Sequence, residues 1–348
     1  MKIAPIVRAL SARRLPSRLV HTGQHFDAAM SDVFFSDLGL PVPDRFLRSG
    51  GGSHAKQTAE VLLGIEAELI QHRPDVVVVV GDVNSTLAAA LAACKLNVPI
   101  AHVEAGLRSH DWTMPEEINR VLTDRLSDLL LVPSRDAVPN LLAEGVRPER
   151  IVFVGNVMID SLHHASRATN VLERFSLESG AYAIGTIHRP ENVDSAEALR
   201  ATFDALAEVA RQIPLVLPVH PRTLARAEAF GLVGRQRETP GLLAVKPLGY
   251  ADFVTLLRHA RFVLTDSGGI QEETTGLGIP CLTMREGTER PITVNEGTNT
   301  IVGRDVARIS IEVSAILAGH GKRGRIPEGW DGRAGERIAD ALVRFVES

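Results

Sequence analysis

Five consecutive valines at residues 76–80 limit what this chain can fold into more than any other feature of its sequence. A strand that is apolar at every position must be buried on both faces, as the inner strands of parallel sheets are. Short β-branched runs alternate with stretches of helical periodicity along the rest of the chain, a pattern typical of parallel sheets covered by helices. We therefore predict an α/β fold.

Two domains are expected, because 348 residues are enough for two compact units of ordinary size. Strands are predicted at residues 18–21, 75–80, 99–103, 129–132, 151–154, 182–186, 215–219, 242–245, 262–265, 280–283 and 299–302. The main helices are predicted at 55–72, 85–96, 116–127, 196–212, 250–259 and 268–276. We interpret residues 1–158 and 159–334 as two Rossmann-like domains facing each other across a cleft. A helix near 335–348 is expected to pack back on the first of these domains.

Composition narrows the function classes. The chain has 38 basic and 42 acidic residues, which disfavours nucleic acid as the main partner, and no apolar run approaches the roughly 20 residues of a membrane span. Cys94 and Cys281 are too few for a disulfide framework or a cysteine zinc site, which favours the reducing cytoplasm. The basic residues 1–26 fit either a targeting peptide or a folded amphipathic helix, and we favour the helix because a secretory apolar core is lacking.

Acidic side chains follow two neighbouring predicted strands of the first half. Asp82 comes just after the valine strand, and Glu104 directly follows the strand at 99–103. Because open parallel sheets bind ligands outside the carboxyl ends of their strands, both carboxylates are candidates for catalysis. The alternative is that Asp82 caps the next helix and Glu104 lies in a surface loop.

A helix start follows at residues 114–120, where Pro115 precedes two acids. Glu116 and Arg120 stand four residues apart, the spacing of a helical ion pair. Both are candidates for the same site, although a solvated helix terminus explains this segment equally well in isolation.

The second half carries features of a phosphate site. His188 and His220 each follow a predicted strand and have an arginine nearby, a combination that can donate to phosphate, although either histidine could be a packed structural residue. The strongest local signal is Ser267-Gly268-Gly269 between a strand and a helix, because the free N–H groups and the dipole of a helix N-terminus bind anions.

Two further side chains belong to this second group. Glu273, one turn into that helix, could accept from ribose hydroxyls or simply lie favourably near the helix dipole, and Arg290 is a cation in a later loop. The pattern is neither GxGxxG nor a P-loop, so NAD and ATP are not indicated. The residues alone indicate an enzyme that holds a phosphorylated or nucleotide ligand on its second domain, faced by acids of the first; they do not select the reaction.

Seven segments in order resemble the non-hydrolysing UDP-N-acetylglucosamine 2-epimerases, which share the two-domain glycosyltransferase-B architecture. They span nearly the whole chain and are Gly81-Asp82, HVEAGLR at 102–108, PEEINR at 115–120, His188-Arg189, PVH at 218–220, TDSGGIQEE at 265–273 and TERP at 288–291. Each segment is weak alone, but seven in family order are specific.

The resemblance implies a role for each residue at a matching position. The catalytic residues would be Asp82, Glu104, Glu116 and His188. The substrate-binding residues would be Lys2, Arg120, His220, Leu248, Phe253, Ser267, Gly268, Gly269, Glu273 and Arg290. Within these sets the acids would act near the sugar, His188 and the Ser-Gly-Gly segment would hold the diphosphate, Glu273 the ribose, and Leu248 and Phe253 the uracil.

The resemblance also implies a reaction, which is the conversion of UDP-GlcNAc to UDP-ManNAc. UDP would leave by anti elimination to give a 2-acetamidoglucal, and would add back after protonation on the opposite face, with neither a cofactor nor a metal. Homodimers are common in the family, surface polysaccharide precursors are its usual destination, and some members are activated by their own substrate. Gln24, His25 and Gln57 could take part in that activation.

One departure from the family concerns the start of the chain. Met1 stands directly before Lys2, where the family normally has a strand and a Gly-Thr-Arg-Pro-Glu loop. Without that central strand, unpaired ladder groups would each cost roughly 1–3 kcal/mol when buried. We expect that a start codon was assigned too late, and that adding the upstream residues raises soluble yield and activity.

Alternative functions stay open at this point. The chain could be a 2-epimerase for a related UDP-sugar such as UDP-2,3-diacetamido-glucuronate, or a hydrolysing relative that releases free ManNAc. It could also be a catalytically silent nucleotide-sugar-binding module, a hypothesis supported by the missing amino-terminal loop but opposed by the presence of all four candidate catalytic residues. A plain glycosyltransferase is less favoured, because it has no need of three acids clustered in one domain.

Overall fold

The computed structural model describes residues 1–24, 35, 38–165 and 169–348. The chain divides into two compact units, of which the first comprises Met1–His164 and Glu328–Ser348, and the second Ala165–Pro327. Each unit contains a parallel sheet flanked by helices, so the predicted α/β class is confirmed.

The first unit contains six strands and seven α-helices in its described ranges. The strands are β1 (Val20–His21), β2 (Arg45–Phe46), β3 (Val77–Val80), β4 (Ile100–Val103), β5 (Leu129–Val132) and β6 (Ile151–Phe153). The helices are α1 (Ile3–Ala12), α2 (His54–Gln71), α3 (Asn84–Lys95), α4 (Pro115–Leu126), α5 (Ala137–Ala143), α6 (Val157–His164) and, after the second unit, α16 (Ala334–Glu347).

The strands of this unit form two sheets. Strands β3, β4, β5 and β6 pair in that order and are all parallel, with Val80 opposite Val103. Strands β1 and β2 form a separate parallel pair, and within the described residues β3 pairs with β4 alone. Strand β2 was not predicted, because two exposed residues carry no periodicity. The expectation about an upstream strand stays a prediction.

Burial on both faces explains the apolar strand sequences. Ala101 and Val103 of β4 pack on one face with Ile338 of α16, whereas Ile100 packs on the other face with Val61 of α2. Alternate residues of a strand point to opposite faces, so a strand that is covered on both sides must be apolar throughout.

The borders of the first unit differ from the predicted ones. We placed the first border after residue 158, but all of α6 belongs to the first unit, since it packs against α1 and α16. We placed the return of the chain at 335, whereas it begins at Glu328. Trp330 accounts for the earlier return, because it is buried and its Nε1–H donates to the carbonyl oxygen of Pro133 over 3.1 Å.

The second unit contains a six-stranded parallel sheet in the order β12-β11-β10-β7-β8-β9. Its strands are β7 (Ala183–Thr186), β8 (Leu215–Pro218), β9 (Leu242–Val245), β10 (Val263–Thr265), β11 (Cys281–Thr283) and β12 (Asn299–Ile301). Its helices are α7 (Val171–Arg174), α8 (Pro190–Val193), α9 (Ala196–Gln212), α10 (Pro221–Ala229), α11 (Val233–Glu238), α12 (Tyr250–His259), α13 (Gly268–Leu277), α14 (Pro291–Asn295) and α15 (Val306–Leu317).

Helices cover both faces of this second sheet. Leu264 of β10 packs on the side of α9 and α15, while Val263 packs on the side of α12. In the sheet Thr265 lies opposite Thr186, so the carboxyl ends of β10 and β7 are neighbours. The loops that leave those two ends carry most of the candidate phosphate-site residues.

Candidate active site

Two sharp turns direct the strand-end acids of the first unit. Gly81 ends β3 with φ +76°, and Glu104 follows β4 with φ +74°. A positive φ is unusual for a side chain as large as glutamate and costs on the order of 1–3 kcal/mol. The backbone N–H groups of Glu104 and Ala105 both donate to the carbonyl oxygen of Leu131, over 3.0 and 3.3 Å. These bonds hold the turn that carries the Glu104 carboxylate away from the strand.

Lys2 is the cationic partner of Glu104. Its Nζ forms an ion pair with Glu104 Oε2, and the Glu104 side chain is almost fully buried. The same ammonium group lies close to the Gly81 backbone, since a Cβ added there would be 3.3 Å from Lys2 Nζ. Lys2 and Glu104, which were each predicted as site residues, are therefore brought together at the ends of β3 and β4.

Arg120 joins Asp82 to a carboxylate that the sequence did not single out. The guanidinium is buried, with Nε 3.1 Å and Nη2 3.0 Å from Asp82 Oδ2, and Nη1 2.5 Å from Glu117 Oε2. Glu117 also accepts from the backbone N–H groups of Ser109 and His110. Burial opposes the ionisation of Glu117, but these hydrogen bonds and the Arg120 charge outweigh it and hold its pKa below the ordinary value.

Two local interpretations of these acids are therefore corrected. The predicted ion pair of Glu116 with Arg120 is wrong, because Arg120 is taken by Asp82 and by Glu117 one residue further along α4. The Glu116 side chain is half-buried. The alternative that Asp82 caps α3 is also wrong, because the N-cap is Val83, whose side chain makes no capping hydrogen bond.

Amides surround the start of α3. Asn119 Nδ2 donates to the carbonyl oxygen of Asp82 over 2.9 Å, Asn84 Nδ2 donates to Gln57 Oε1 over 2.9 Å, and Gln24 Oε1 accepts from the Ser85 N–H over 2.8 Å. Gln24 and Gln57 thus both contact the start of this helix. His25, the third candidate for activation, lies outside the described residues.

Asp266 organises the loop after β7 in the second unit. Its buried carboxylate accepts from the backbone N–H groups of His188 and Arg189 and from Asn192 Nδ2, over 2.9 to 3.1 Å, and lies 3.1 Å from His188 Nδ1. Burial opposes its ionisation, but the hydrogen bond and charge of His188, together with these donors, lower the pKa of Asp266. The His188 ring is thereby fixed on one side and about one-third exposed.

His220 has a structural role in the local fold. Its Nδ1 accepts from the Arg222 N–H over 3.1 Å as the N-cap of α10, so a neutral ring carries its proton on Nε2. The ring lies 5.1 Å from that of His188, centroid to centroid. Burial and then the neighbouring His188 charge lower the pKa of His220, which leaves it a neutral donor beside His188.

The start of α13 has the form expected of an anion site. Ser267 is the N-cap, and its side chain makes no capping hydrogen bond, so the N–H groups of the first turn are not satisfied by it. A Cβ on Gly268 would lie 2.5 Å from Arg290 Nη1 and 2.7 Å from Glu289 Oε1. Only glycine allows these charged groups to approach the helix start so closely.

Arg290 belongs to a buried group of five charged side chains beside that helix start. It pairs with Glu289 and, over 2.9 Å, with Glu272 Oε1. Arg285 Nη1 lies 2.8 Å and Arg189 Nη2 3.7 Å from the Glu289 carboxylate. Three arginines against two glutamates leave one excess positive charge, which favours an anionic ligand.

Glu273 is buried within α13 and hydrogen-bonded. The hydroxyl of Tyr250 donates to its Oε1 over 2.8 Å, and burial raises the pKa of Glu273 to about 7. Leu248 and Phe253, on either side of Tyr250, are half-buried against the core of this unit. His188 and His220 thus meet beside the loop after β7, while Ser267, Gly268, Gly269, Glu273 and Arg290 lie in or beside α13.

Sequence reasoning missed several polar residues that organise the site. Asp266 directly follows β10 and could have been found by the strand-end rule that selected Asp82. Tyr250 carries no such signal, because its partner is distant in sequence. Glu117 stands three residues before Arg120 and could have been found by the spacing of helical ion pairs. No three His, Cys, Asp or Glu side chains within residues 1–24, 38–165 and 169–348 converge as metal ligands would.

These features are those of an α/β enzyme with paired acids at strand ends and a candidate anion site. The family model described as UDP-N-acetylglucosamine 2-epimerase matches residues 8–343. This chain belongs to the UDP-N-acetylglucosamine 2-epimerase family, whose activity is an isomerisation.

Named relatives support the assignment over the full length. The UDP-N-acetylglucosamine 2-epimerase of Methanocaldococcus jannaschii is 40% identical over 99% of this chain and 95% of its own length. Its crystal structure with UDP-GlcNAc and UDP matches with a TM-score of 0.91, covering 99% of this chain and 96% of that one. The UDP-2,3-diacetamido-2,3-dideoxy-D-glucuronate 2-epimerase of Pseudomonas aeruginosa is 44% identical over 97% of this chain and 94% of its own. Within the described residues no helix has the length and apolar character needed to cross a bilayer.

Proposed function

We propose that the protein interconverts UDP-GlcNAc and UDP-ManNAc by non-hydrolysing 2-epimerisation. The observation that carries the proposal is a carboxylate after each of two hydrogen-bonded parallel strands, Asp82 after β3 and Glu104 after β4, each paired with a cation. Paired acids at strand ends suit proton transfer, and the named relatives act on this class of substrate.

The second unit supplies the contacts for UDP in this proposal. The α13 N–H groups and Arg290 bind the diphosphate, His188 donates to it, and Glu273 accepts from the ribose. Fixed donors of this kind stabilise the negative charge that develops on a departing diphosphate. Leu248 and Phe253 provide apolar surface for the uracil.

The acids of the first unit carry out the proton transfers. The C1–O bond breaks with its electron pair leaving on UDP, positive charge develops at C1, and a carboxylate removes the C2 proton to give the 2-acetamidoglucal. A second group then protonates C2 on the opposite face, and the UDP oxygen re-forms the bond to C1. Asp82, Glu104 and Glu116 are the candidate acids and bases for these two steps.

The test is solvent exchange at C2. In D2O, UDP-GlcNAc is expected to gain deuterium at C2 while UDP-ManNAc accumulates, as NMR would record. Asp82→Asn and Glu104→Gln should each slow exchange by on the order of 100-fold or more, the usual contribution of acid–base catalysis. Epimerisation without deuterium uptake, or release of free ManNAc, would contradict the proposal.

A second candidate substrate is UDP-2,3-diacetamido-glucuronate. The observation that favours it is the 44% identity to the P. aeruginosa 2-epimerase for that sugar, against 40% to the M. jannaschii enzyme. The same exchange experiment with both UDP-sugars decides between them, since the physiological substrate should show the larger kcat/KM.

We also propose that two chains associate through the helical face of the first unit. Helices α2, α3 and α4 pack side by side, and Leu63, Ile70, Ile118 and Leu122 are large apolar residues exposed on α2 and α4. Light scattering should give a dimer mass for the wild type and a monomer mass for Ile70→Asp. Ile311→Asp, equally exposed in the second unit at 69%, is the matched control and should stay dimeric.

We propose that the protein is located in the cytoplasm. Cys94 and Cys281 are free thiols, which a reducing compartment maintains. Cell fractionation against compartment markers would test the assignment.

A further inference from the structure

A buried histidine connects the two strand-end turns, and the proposed chemistry does not use it. His102 of β4 is fully buried. Its Nδ1 lies 2.6 Å from Asp124 Oδ1, and its Nε2 lies 2.9 Å from the carbonyl oxygen of Gly81. Both ring nitrogens of this buried side chain are therefore hydrogen-bonded, as buried polar groups generally are.

The partners of His102 fix its ionisation. Asp124 Oδ2 accepts from the Gly106 N–H over 3.0 Å and from Arg108 Nη1 over 2.7 Å, so Asp124 is a carboxylate. Both nitrogens of His102 therefore face oxygen atoms that accept, and only an imidazolium has two N–H groups to donate. Burial opposes that charge, but Asp124, Gly81 and the nearby Glu104 outweigh it and raise the pKa of His102.

The charged side chains around His102 form a series of ion pairs. Arg108 forms a bidentate pair with Glu144 over 2.7 Å on each side, and Glu104 is paired with Lys2. The charged groups that face His102 directly are Asp124 and Glu104, and each has its own cationic partner. With a positive His102, negative and positive side chains alternate in the order Glu144, Arg108, Asp124 and His102. A neutral ring would interrupt this alternation.

His102 and Asp124 together hold the backbone at both strand ends that carry the candidate acids. Gly81, whose carbonyl oxygen accepts from His102, is bonded directly to Asp82. Gly106, whose N–H donates to Asp124, lies two residues after Glu104. Gly106 has φ +81°, and a Cβ there would lie 2.7 Å from the Ala137 carbonyl oxygen, so this turn has little freedom to rearrange.

We propose that His102 and Asp124 are positioning residues that fix Asp82 and Glu104 for proton transfer at the sugar. The inference rests on the proposed epimerase function and adds to it a charged pair beneath the two turns. A displacement of about 1 Å between reacting groups costs on the order of 100-fold in rate. Loss of the pair should therefore lower kcat and leave nucleotide binding intact, because the proposed UDP contacts lie in the second unit.

The experiment compares His102→Gln, Asp124→Asn and their double variant with the wild type. Each single variant should lose on the order of 100-fold in kcat with KM and UDP affinity within about threefold, and the double variant should lose no more than either single one, as expected for residues that act as a unit. Asp160→Asn is the matched control. Asp160 is a buried carboxylate of the same unit that accepts from the Ala334 and Gly335 N–H groups, so this variant should lower thermal stability and keep kcat.

Retention of kcat in His102→Gln, or an equal loss of kcat in Asp160→Asn at equal loss of Tm, would overturn the inference. ¹⁵N NMR of the His102 ring gives a second decision that does not need turnover. Both nitrogens should stay protonated at pH 6.5, the ordinary pKa of a histidine side chain, because the surroundings raise the pKa of His102. A ring that is half neutral or more at that pH overturns the inference. Absence of exchange in the wild type with either UDP-sugar would instead refute the proposed function, while the ring signal still decides the charge of His102.

Discussion

Glu273 predicts a pH dependence of nucleotide binding. Its pKa is about 7 because it is buried, with one hydrogen bond from Tyr250, and it must be ionised to accept from two ribose hydroxyls. With that pKa the ionised fraction is about one-tenth at pH 6 and about nine-tenths at pH 8, so affinity for UDP-GlcNAc should rise about tenfold, or about 1.4 kcal/mol. Glu273→Gln should bind weakly and remove this part of the dependence. Tyr250→Phe should shift the rise in affinity to higher pH, because the substitution removes a hydrogen bond that favours the Glu273 carboxylate.

Isothermal titration calorimetry at pH 6, 7 and 8 measures the effect directly. UDP-GlcNAc is the better ligand for this test, because the terminal phosphate of free UDP titrates in the same range. The difference between wild type and Glu273→Gln isolates the contribution of this carboxylate from that of any other titrating group. An equal pH profile for the two proteins would refute the assignment of Glu273 to the ribose.

Three other outcomes can be measured. Arg120→Met leaves two carboxylates without their buried cation and should cost about 3–5 kcal/mol, which corresponds to roughly 6–20 °C in the Tm of a unit of this size; calorimetry that finds no shift would contradict the pairing. Gly268→Ala should displace Arg290 and weaken UDP binding by tenfold or more, at about 1–3 kcal/mol for overpacking, whereas Gly287→Ala, where an added methyl meets open space, should bind normally. Because the folded pKa of Glu273 is raised from 4.5 to about 7, its ionisation costs stability as pH rises through that range. Urea unfolding should therefore find Glu273→Gln more stable than the wild type at pH 8 and not at pH 4.5.

The secondary structure was largely predictable because buried parallel strands leave a strong local signal. All eleven predicted strands are present with ends within two residues, and helix α9 matches the prediction at both ends. The missed strand, β2, is a two-residue segment in which both residues are classed as exposed. Local apolar patterns thus identified the buried strands, whereas several helices, among them α15 (Val306–Leu317), were not predicted.

The candidate site was predictable where it follows strand ends and unpredictable where it depends on side-chain partners. The rule that ligands bind at the carboxyl ends of strands selected Asp82 and Glu104. The sequence paired Arg120 with Glu116, but a difference of one residue on a helix turns a side chain by about 100°. The structure accordingly gives the arginine to Glu117. Tyr250 and Glu273 meet across 23 positions of sequence, which no local pattern reports.

The place of α16 in the first unit has a consequence for synthesis on the ribosome. That helix packs on α1, and its start is held by Asp160, so residues from both sides of the second unit are required to complete the first. The second unit is one continuous segment, Ala165–Pro327, and can fold as soon as it emerges. Until the segment from Glu328 leaves the exit tunnel, the part of α1 that packs against α16 stays uncovered, and we expect a chaperone to bind there.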